Sequence, residues 1–452
     1  MPTFASAAAI VARLRGAGFE TYLAGGCVRD RLLGRPAADY DIATAARPEQ
    51  VAALFPRTVD VGAAFGVIRV LADDGDYEVA TFRTEGPYLD GRHPSSVRYA
   101  GPREDAQRRD FTINGLLYDP AADAVLDFVE GRADLTARLV RAIGDPAVRF
   151  DEDRLRMLRA VRLAVELDFT IAPETFEAIP RHAADVRAVS AERIRDELVR
   201  MLTRPRADRA LALLRDSGLL GAVLPEIARE IGVPQPPNFH PEGDVFEHTR
   251  RAVAALRRPS PALAMAALLH DAGKPETLEY APDRIRFNRH DERGAEIAEA
   301  VMERLRFPRR DVDRVAALVG RHMIFKDLPQ MREAKRRRLL ADEIFPDLLE
   351  LHRADCEASH KDFTLYEWAR AEAERVAATP PPPARLVSGH DVLARGVPAG
   401  PRVAAILEAV EDARLEGRVR TRDEALVFID RLLAQGNGGA EGVEPRRGGG
   451  ER

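Results

Sequence analysis

In Asp39-Tyr-Asp41-Ile-Ala, two carboxylates stand two residues apart in a stretch with strand character. Side-chain alternation along a strand sends both from one face, about 7 Å apart along the backbone. Hard oxygen donors at that spacing suit one or two magnesium ions that share their shells with substrate phosphates. Two such ions can activate an attacking hydroxyl and stabilise a leaving pyrophosphate; a polar loop is the bland account of the same three residues. About ten residues upstream, Gly25-Gly26-Cys-Val-Arg29-Asp30 breaks a strand-like run before an apolar helical pattern. Such a break lets backbone amides approach an anion, with the Arg29 guanidinium adding to phosphate binding, although a plain turn has the same composition. Glu78, an acid among apolar strand residues, is the candidate third carboxylate for the metal, or simply an exposed edge residue. A second cluster lies farther on: His248, His270-Asp271, His290, His322 and Asp355. Imidazole with carboxylate suits a transition metal or magnesium.

The elements that must hold these groups change character along the chain. Its 452 residues suggest three or four units at roughly 100–200 residues each. Residues 1–140 mix strand and helix signals, whereas most of the remaining chain has helical period. Residues 66–72 and 77–83 read as a hairpin around Asp73-Asp74-Gly75-Asp76. Leu155, Leu158, Leu163 and Leu167 give helical spacing across 152–167, and a helix capped by Ser190 runs to about Leu202. Residues 262–269 form an Ala-rich helix that should end near Gly273, with His270 and Asp271 in its last turn. Residues 232–238 and the prolines 380–383 read as linkers, and the Gly-rich end from Gly436 as disordered.

Composition narrows the class. Sixty-eight Lys and Arg against 73 Asp and Glu give a net charge of −5, so nucleic-acid contacts would need basic side chains gathered on one face. Two cysteines, Cys27 and Cys356, exclude a disulfide scaffold and a cysteine zinc site and fit a reducing compartment. There is no apolar run of about 20 residues and no secretory apolar core at the N-terminus, which reads as a cytoplasmic protein without a membrane span.

Six motifs in order now carry a resemblance: Gly25-Gly26-Cys-Val-Arg29-Asp30-Arg-Leu-Leu-Gly34, Asp39-Tyr-Asp41, Arg108-Arg109-Asp110-Phe111-Thr-Ile-Asn114-Gly115, Asp127-Phe-Val-Glu-Gly131-Arg-Ala-Asp134, Glu152-Asp153-Arg-Leu-Arg156-Met-Leu-Arg159 and Ser190-Ala-Glu192-Arg193-Ile-Arg-Asp-Glu197. The chain resembles the class II tRNA nucleotidyltransferases and bacterial poly(A) polymerases of the DNA polymerase β-like superfamily. The resemblance implies an α+β fold, a polymerase β-like head followed by a helical neck, a helical HD domain and a helical tail. It also implies magnesium on Asp39 and Asp41, triphosphate near Gly25, Gly26 and Arg29, and sugar and phosphate contacts from Arg108, Arg109, Asp110 and Asn114. Glu152, Asp153, Arg156 and Arg159 correspond to the motif that selects the base without a nucleic-acid template. Placed on one helix, positions 152 and 156 are i,i+4 and positions 153, 156 and 159 are successive i,i+3 steps, so the four share a face. Aspartate accepts from the exocyclic amino group of cytosine or adenine and arginine donates to ring acceptors, whereas uracil has no such amino group. Intrahelical ion pairing also accounts for that spacing. The family commonly has proline where Arg154 stands.

The histidines resemble the HD phosphohydrolase superfamily, which implies a divalent metal (Mg2+, Mn2+, Ni2+ or another) on His248, His270, Asp271 and Asp355, with His290 and His322 as further ligands. Trimming of RNA-terminal phosphates is the implied activity. Residues 85–96 resemble the family's flexible loop, and residues 388–401 its tRNA-gripping tail, in which His390 is read as a loop residue. The basic run 332–338 reads as a phosphate contact or a solvated face. The organisation expected is a head at 1–140, neck at 141–232, HD domain at 233–376, tail at 377–435 and disordered end at 436–452. The expected reaction is addition of C, C and A to tRNA from CTP and ATP. Addition of A only, CC only or poly(A) is the nearest alternative. A metal-dependent phosphohydrolase with an RNA-binding head is the alternative from another class.

Overall fold

The computed structural model describes residues 1–62, 66–85, 97–237, 240–378 and 386–437. Most of the expected flexible loop, the prolines 380–383 and the tail beyond residue 437 lie outside them. The chain divides into two compact units, Met1–Gly320 with Ala358–His360, and Arg321–Glu357 with Lys361–Arg452.

The first unit opens with helix Phe4–Gly16, whose first turn is capped by the Thr3 hydroxyl accepting from the Ser6 amide. Its buried Ala7, Ile10, Val11 and Leu14 follow the i, i+3, i+4, i+7 pattern of one apolar stripe and pack toward the sheet. Seven strands form that sheet in the order Thr58–Gly62, Val67–Ala72, Gly75–Thr81, Asp41–Thr44, Thr21–Ala24, Leu117–Asp119, Ala124–Leu126. All pairings are antiparallel except that of Asp41–Thr44 with Gly75–Thr81. The hairpin is tighter than the sequence suggests: Ala72 pairs with Gly75, so Asp73 and Asp74 alone make the turn. Asp41 is the first residue of its strand and Asp39 precedes it, so the two carboxylates do not share strand alternation as expected.

A helical bundle comes next along the chain. The helix expected over 152–167 is broken: Pro146–Glu152 ends, and Leu155–Leu167 begins after Asp153. Asp153 is extended (φ −143°, ψ 103°), and its Oδ1 accepts from the Leu155 amide at 3.1 Å. A short acceptor side chain that caps the next helix competes with continuation of the previous one. Helix Leu155–Leu167 is buried almost all round and packs most extensively on Ala191–Leu202. Ser190 occupies the cap position of the latter, but its side chain makes no capping bond. Helix Pro261–Leu269 stops one residue before His270, leaving His270 and Asp271 just past its end rather than inside its last turn. Residues 232–237 come after helix Pro225–Ala228 and are tied down rather than loose, since Lys274 donates to the Gln235 side chain at 2.6 Å.

The second unit is helical, with Val392, Ile406, Val410, Ala413, Val419 and Ile429 in one core. The basic run lies on helix Glu333–Leu340, where Arg336 pairs with Glu372, Arg337 with Glu333 and Arg338 with Glu408. These arginines are engaged in intramolecular ion pairs, not merely solvated. His390 sits exposed on the short helix Gly389–Leu393, not in a loop. No described helix is long and apolar enough to cross a membrane.

Candidate nucleotide and metal sites

Strand register brings the first constellation together. Ala24 lies opposite Asp41, so Gly25 and Gly26 turn away from the sheet beside that carboxylate. Gly25 has φ +75°, and a Cβ there would stand 3.0 Å from Asp41 Oδ2 and 3.1 Å from Arg109 Nη1. Only glycine permits both the backbone conformation and the approach. On the other side Glu78 pairs with Asp41 in parallel register and leaves the same face. Burial, followed by the negative charges of Asp39 and Glu78, pushes the Asp41 carboxyl up to about 6, with Arg109 and Arg159 acting in the opposite direction. A carboxylate disfavoured by two like charges is complementary to a divalent cation. The donors fit magnesium in kind.

One cavity of about 460 Å³ is lined by Gly25, Gly26, Arg29, Asp39, Asp41, Arg108, Arg109, Asp110, Asn114, Asp153, Arg156 and Arg159. Of the expected nucleotide residues, only Glu152 is not in its wall. It instead receives the Arg156 guanidinium at 2.5 Å and that of Arg149 at 2.9 Å. Glu78 is exposed beside Asp41 and also lies outside the wall.

The walls are cross-braced by charged hydrogen bonds. Arg29 donates to Asn114 Oδ1 at 2.7 Å, and Asn114 donates to Asp110 Oδ1 at 3.2 Å. Arg159 closes on Asp110 Oδ2 from Nε at 2.8 Å and Nη2 at 2.5 Å. Burial raises the Asp110 carboxyl, but Arg159 and Asn114 outweigh it and hold the group far below the usual carboxylate range. Behind them, Asp127 accepts from the amides of Val129, Gly131 and Arg132, and a Cβ on Gly131 would lie 2.2 Å from Thr112 O. That close contact seats the short turn Thr112–Asn114.

Sequence reasoning gave no role to several residues here. Asp105 is buried and binds Arg108 and Arg109 at 2.8 and 3.0 Å, an i,i+3 and i,i+4 spacing that runs from helix Pro102–Gln107 across its C-terminal end. Arg193 clasps Asp153, and Glu197 holds Arg162 at 2.6 Å; Arg193 and Glu197 both stand in the sixth motif, whose side chains had no assigned partners. Arg162, Leu163 and Arg200 also line the cavity.

In the first unit His248, His270, Asp271 and His290 converge. His248 Nε2 and His270 Nε2 are 3.2 Å apart, and they lie 3.6 and 3.3 Å from Asp271 Oδ2. His290 Nε2 is 3.7 Å from Asp271 Oδ1, and Lys274 Nζ is 2.7 Å from Oδ2. Burial alone would raise the Asp271 carboxyl; His270 and Lys274 hold it well below its ordinary value. Burial lowers His290, favouring the neutral ring that a metal requires. Three ring nitrogens around one ionised carboxylate fit a divalent transition metal. His322 opens the turn His322–Lys326 and Asp355 lies on helix Phe345–Ala358, both in the second unit.

The chain matches the family described as Poly A polymerase head domain over residues 21–141 and that described as probable RNA and SrmB-binding site of polymerase A over 168–231. It matches the HD domain family over 245–388. It is 37% identical to an A-adding tRNA nucleotidyltransferase of Deinococcus radiodurans, covering 90% of this chain and 94% of that one. It is also 37% identical to a CC-adding tRNA nucleotidyltransferase of Thermus thermophilus, covering 91% and 93%. A CCA-adding enzyme of Geobacillus stearothermophilus is 44% identical over 50% of this chain and 56% of its own, so the match spans about half the length of that relative. The crystal structure of a Bacillus stearothermophilus CCA-adding enzyme in complex with CTP superposes with a TM-score of 0.73 at 29% identity, over 97% of this chain and all of that one.

Proposed function

The chain belongs to the class II CCA-adding tRNA nucleotidyltransferase family, and from that premise we propose that it extends tRNA 3′ ends with C, C and A from CTP and ATP. The observation that carries this reading is one cavity lined both by the acidic pair Asp39 and Asp41 and by Asp153 and Arg156. Asp39 and Asp41 would hold magnesium, which supplies Lewis-acid activation of the tRNA hydroxyl and charge neutralisation on the triphosphate. The terminal hydroxyl gives up its proton to water and its oxygen bonds to the α-phosphorus as the bond from that phosphorus to the bridging oxygen of the β-phosphate breaks, releasing pyrophosphate. Gly25 and Gly26 leave room for the triphosphate, and Arg29, Arg108 and Arg109 neutralise it.

Asp153 accepts from an amino group and Arg156 donates to a ring acceptor. Each is kept in that role by a counter-charge, Arg193 for Asp153 and Glu152 for Arg156. UTP would leave an acceptor unpaired at a cost of about 1–3 kcal/mol. The break at Asp153 supports this reading over plain intrahelical pairing, because it aims a capping carboxylate into the cavity.

The full-length similarity to an A-adding and a CC-adding enzyme supports a second reading, in which this chain performs part of the CCA sequence beside a partner enzyme. Purified protein incubated with tRNA ending before, within or after CCA, and each nucleoside triphosphate singly, distinguishes the two. Completion of all three positions is expected. Incorporation that stops after CC or needs CC in place would establish the partial reading, and no incorporation would refute both.

For the histidine and aspartate cluster we infer a divalent metal and hydrolysis of phosphate at RNA ends. Trimming there would expose the 3′-hydroxyl that the head extends. Both free cysteines are buried, in keeping with a cytoplasmic setting.

A further inference from the structure

Each imidazole that faces Asp271 is oriented through its other nitrogen. For His270 and His290 the partner of Nδ1 is a backbone carbonyl, Ala267 O and Phe287 O, each at 2.8 Å. His248 is different. Its Nδ1 lies 2.7 Å from Oε1 of Glu242, and the same oxygen lies 2.8 Å from His240 Nδ1. Carbonyls and carboxylates only accept, so each of these Nδ1 atoms carries the proton, and in the neutral ring Nε2 is the nitrogen left to bind a cation. His248 Nε2 and His270 Nε2 lie 3.2 Å apart on the side that faces Asp271.

Glu242 is held where it is. Its side chain is 1% exposed. Nearby, Asp244 ties the segment down: Oδ2 accepts from the Gly232 amide at 2.6 Å and Oδ1 from the Glu247 amide at 2.8 Å. The His240 ring stands edge-on to His248 with centroids 4.8 Å apart. Its Nδ1 gives Oε1 a second donor, so Oε1 stays aimed at His248.

We propose that Glu242 is a positioning residue of the histidine and aspartate centre, fixing His248 in the Nδ1–H tautomer and strengthening its Nε2 as a donor to a divalent cation. This rests on the reading of that centre as a metal site. A carboxylate behind an imidazole raises its basicity more than a peptide carbonyl does. The ligand strength of His248 is therefore set by a side chain at Nδ1, where His270 and His290 have backbone carbonyls.

The test is Mn2+ titration of the full chain by calorimetry, with long-range 1H–15N spectra of the metal-free imidazoles. Glu242→Gln keeps an acceptor without the charge, and Glu242→Ala removes both. Affinity is expected to fall about tenfold in the first and nearer 100-fold in the second, within the span typical of lost partners behind metal ligands. His248 should keep its single tautomer in Glu242→Gln and become a mixture in Glu242→Ala. Unchanged affinity in both variants overturns the proposal, as does weakened affinity with the His248 tautomer unmoved in Glu242→Ala, which would mark a merely structural role. Failure of the unsubstituted chain to bind Mn2+ would instead overturn the metal reading beneath it.

Discussion

Arg193 grips Asp153 through both carboxylate oxygens, Nη1 to Oδ1 at 3.2 Å and Nη2 to Oδ2 at 2.7 Å. The two residues come from different elements, Arg193 from helix Ala191–Leu202 and Asp153 from the break before Leu155–Leu167. A bidentate clasp fixes the plane of the carboxylate as well as its charge. Arg193→Ala should therefore lower kcat/KM for both CTP and ATP about 10- to 100-fold while raising the relative use of UTP. Arg193→Lys, which keeps charge but loses the planar fork, should fall between. Equal selectivity across the four triphosphates in all three proteins would remove Arg193 from base selection.

Asp41 carries a stability cost that its proposed function explains. Its folded pKa of about 6 lies above the value near 3.9 expected unfolded, so folding favours the protonated form. The associated stabilisation is present below about pH 4 and is lost as pH rises through 6. Asp41→Asn should make the metal-free protein more stable at pH 7 by about 1–3 kcal/mol, with little difference from the parent at pH 4. The same variant should lose nucleotide addition. Urea denaturation at the two pH values with EDTA present measures the first effect; a destabilised variant at pH 7 would contradict it.

Asp110 behaves with the opposite sign. Its folded pKa is depressed, so it contributes stability above its unfolded value near 3.9 and loses it as pH falls toward the folded value. The Arg159 side chain remains 35% exposed, so the loss in Asp110→Ala should be about 2–3 kcal/mol at pH 7, under the range for a wholly buried pair. The gap between variant and parent should narrow progressively as pH falls below about 4. A gap independent of pH would show that packing, not the ion pair, is lost.

The sequence made much of this site legible because its chemistry sits in short local motifs. Gly25, Asp41, Arg109 and Asp110 all stand within those motifs, and strand register did the rest by setting Ala24 and Glu78 either side of Asp41. Two kinds of information were harder to see. One is local competition: helical periodicity ran through Asp153, but an acceptor side chain that caps Leu155 broke the helix there. The other is long-range pairing. Glu242 lies six residues from His248, just past the stretch 232–238 that reads as a linker, and Arg193 lies forty from Asp153; nothing in residue spacing pairs either with its partner.

Gly273 offers a way to disturb the second site without touching a ligand. A Cβ at this position would lie 2.2 Å from His290 O and 2.7 Å from the Gly294 amide nitrogen, both backbone atoms that no side-chain rotation can move. The start of helix His290–Arg304 must then shift away from the turn that carries His270 and Asp271. Since His290 Nε2 stands 3.7 Å from Asp271 Oδ1, that shift opens the centre. Gly273→Ala should weaken Mn2+ binding at least tenfold and lower stability by about 1–3 kcal/mol, as overpacking does. Addition of nucleotides by the head, assayed with magnesium below the melting temperature of the variant, should be retained. Mn2+ affinity equal to that of the parent would mean that the helix start is not what holds His290 against Asp271.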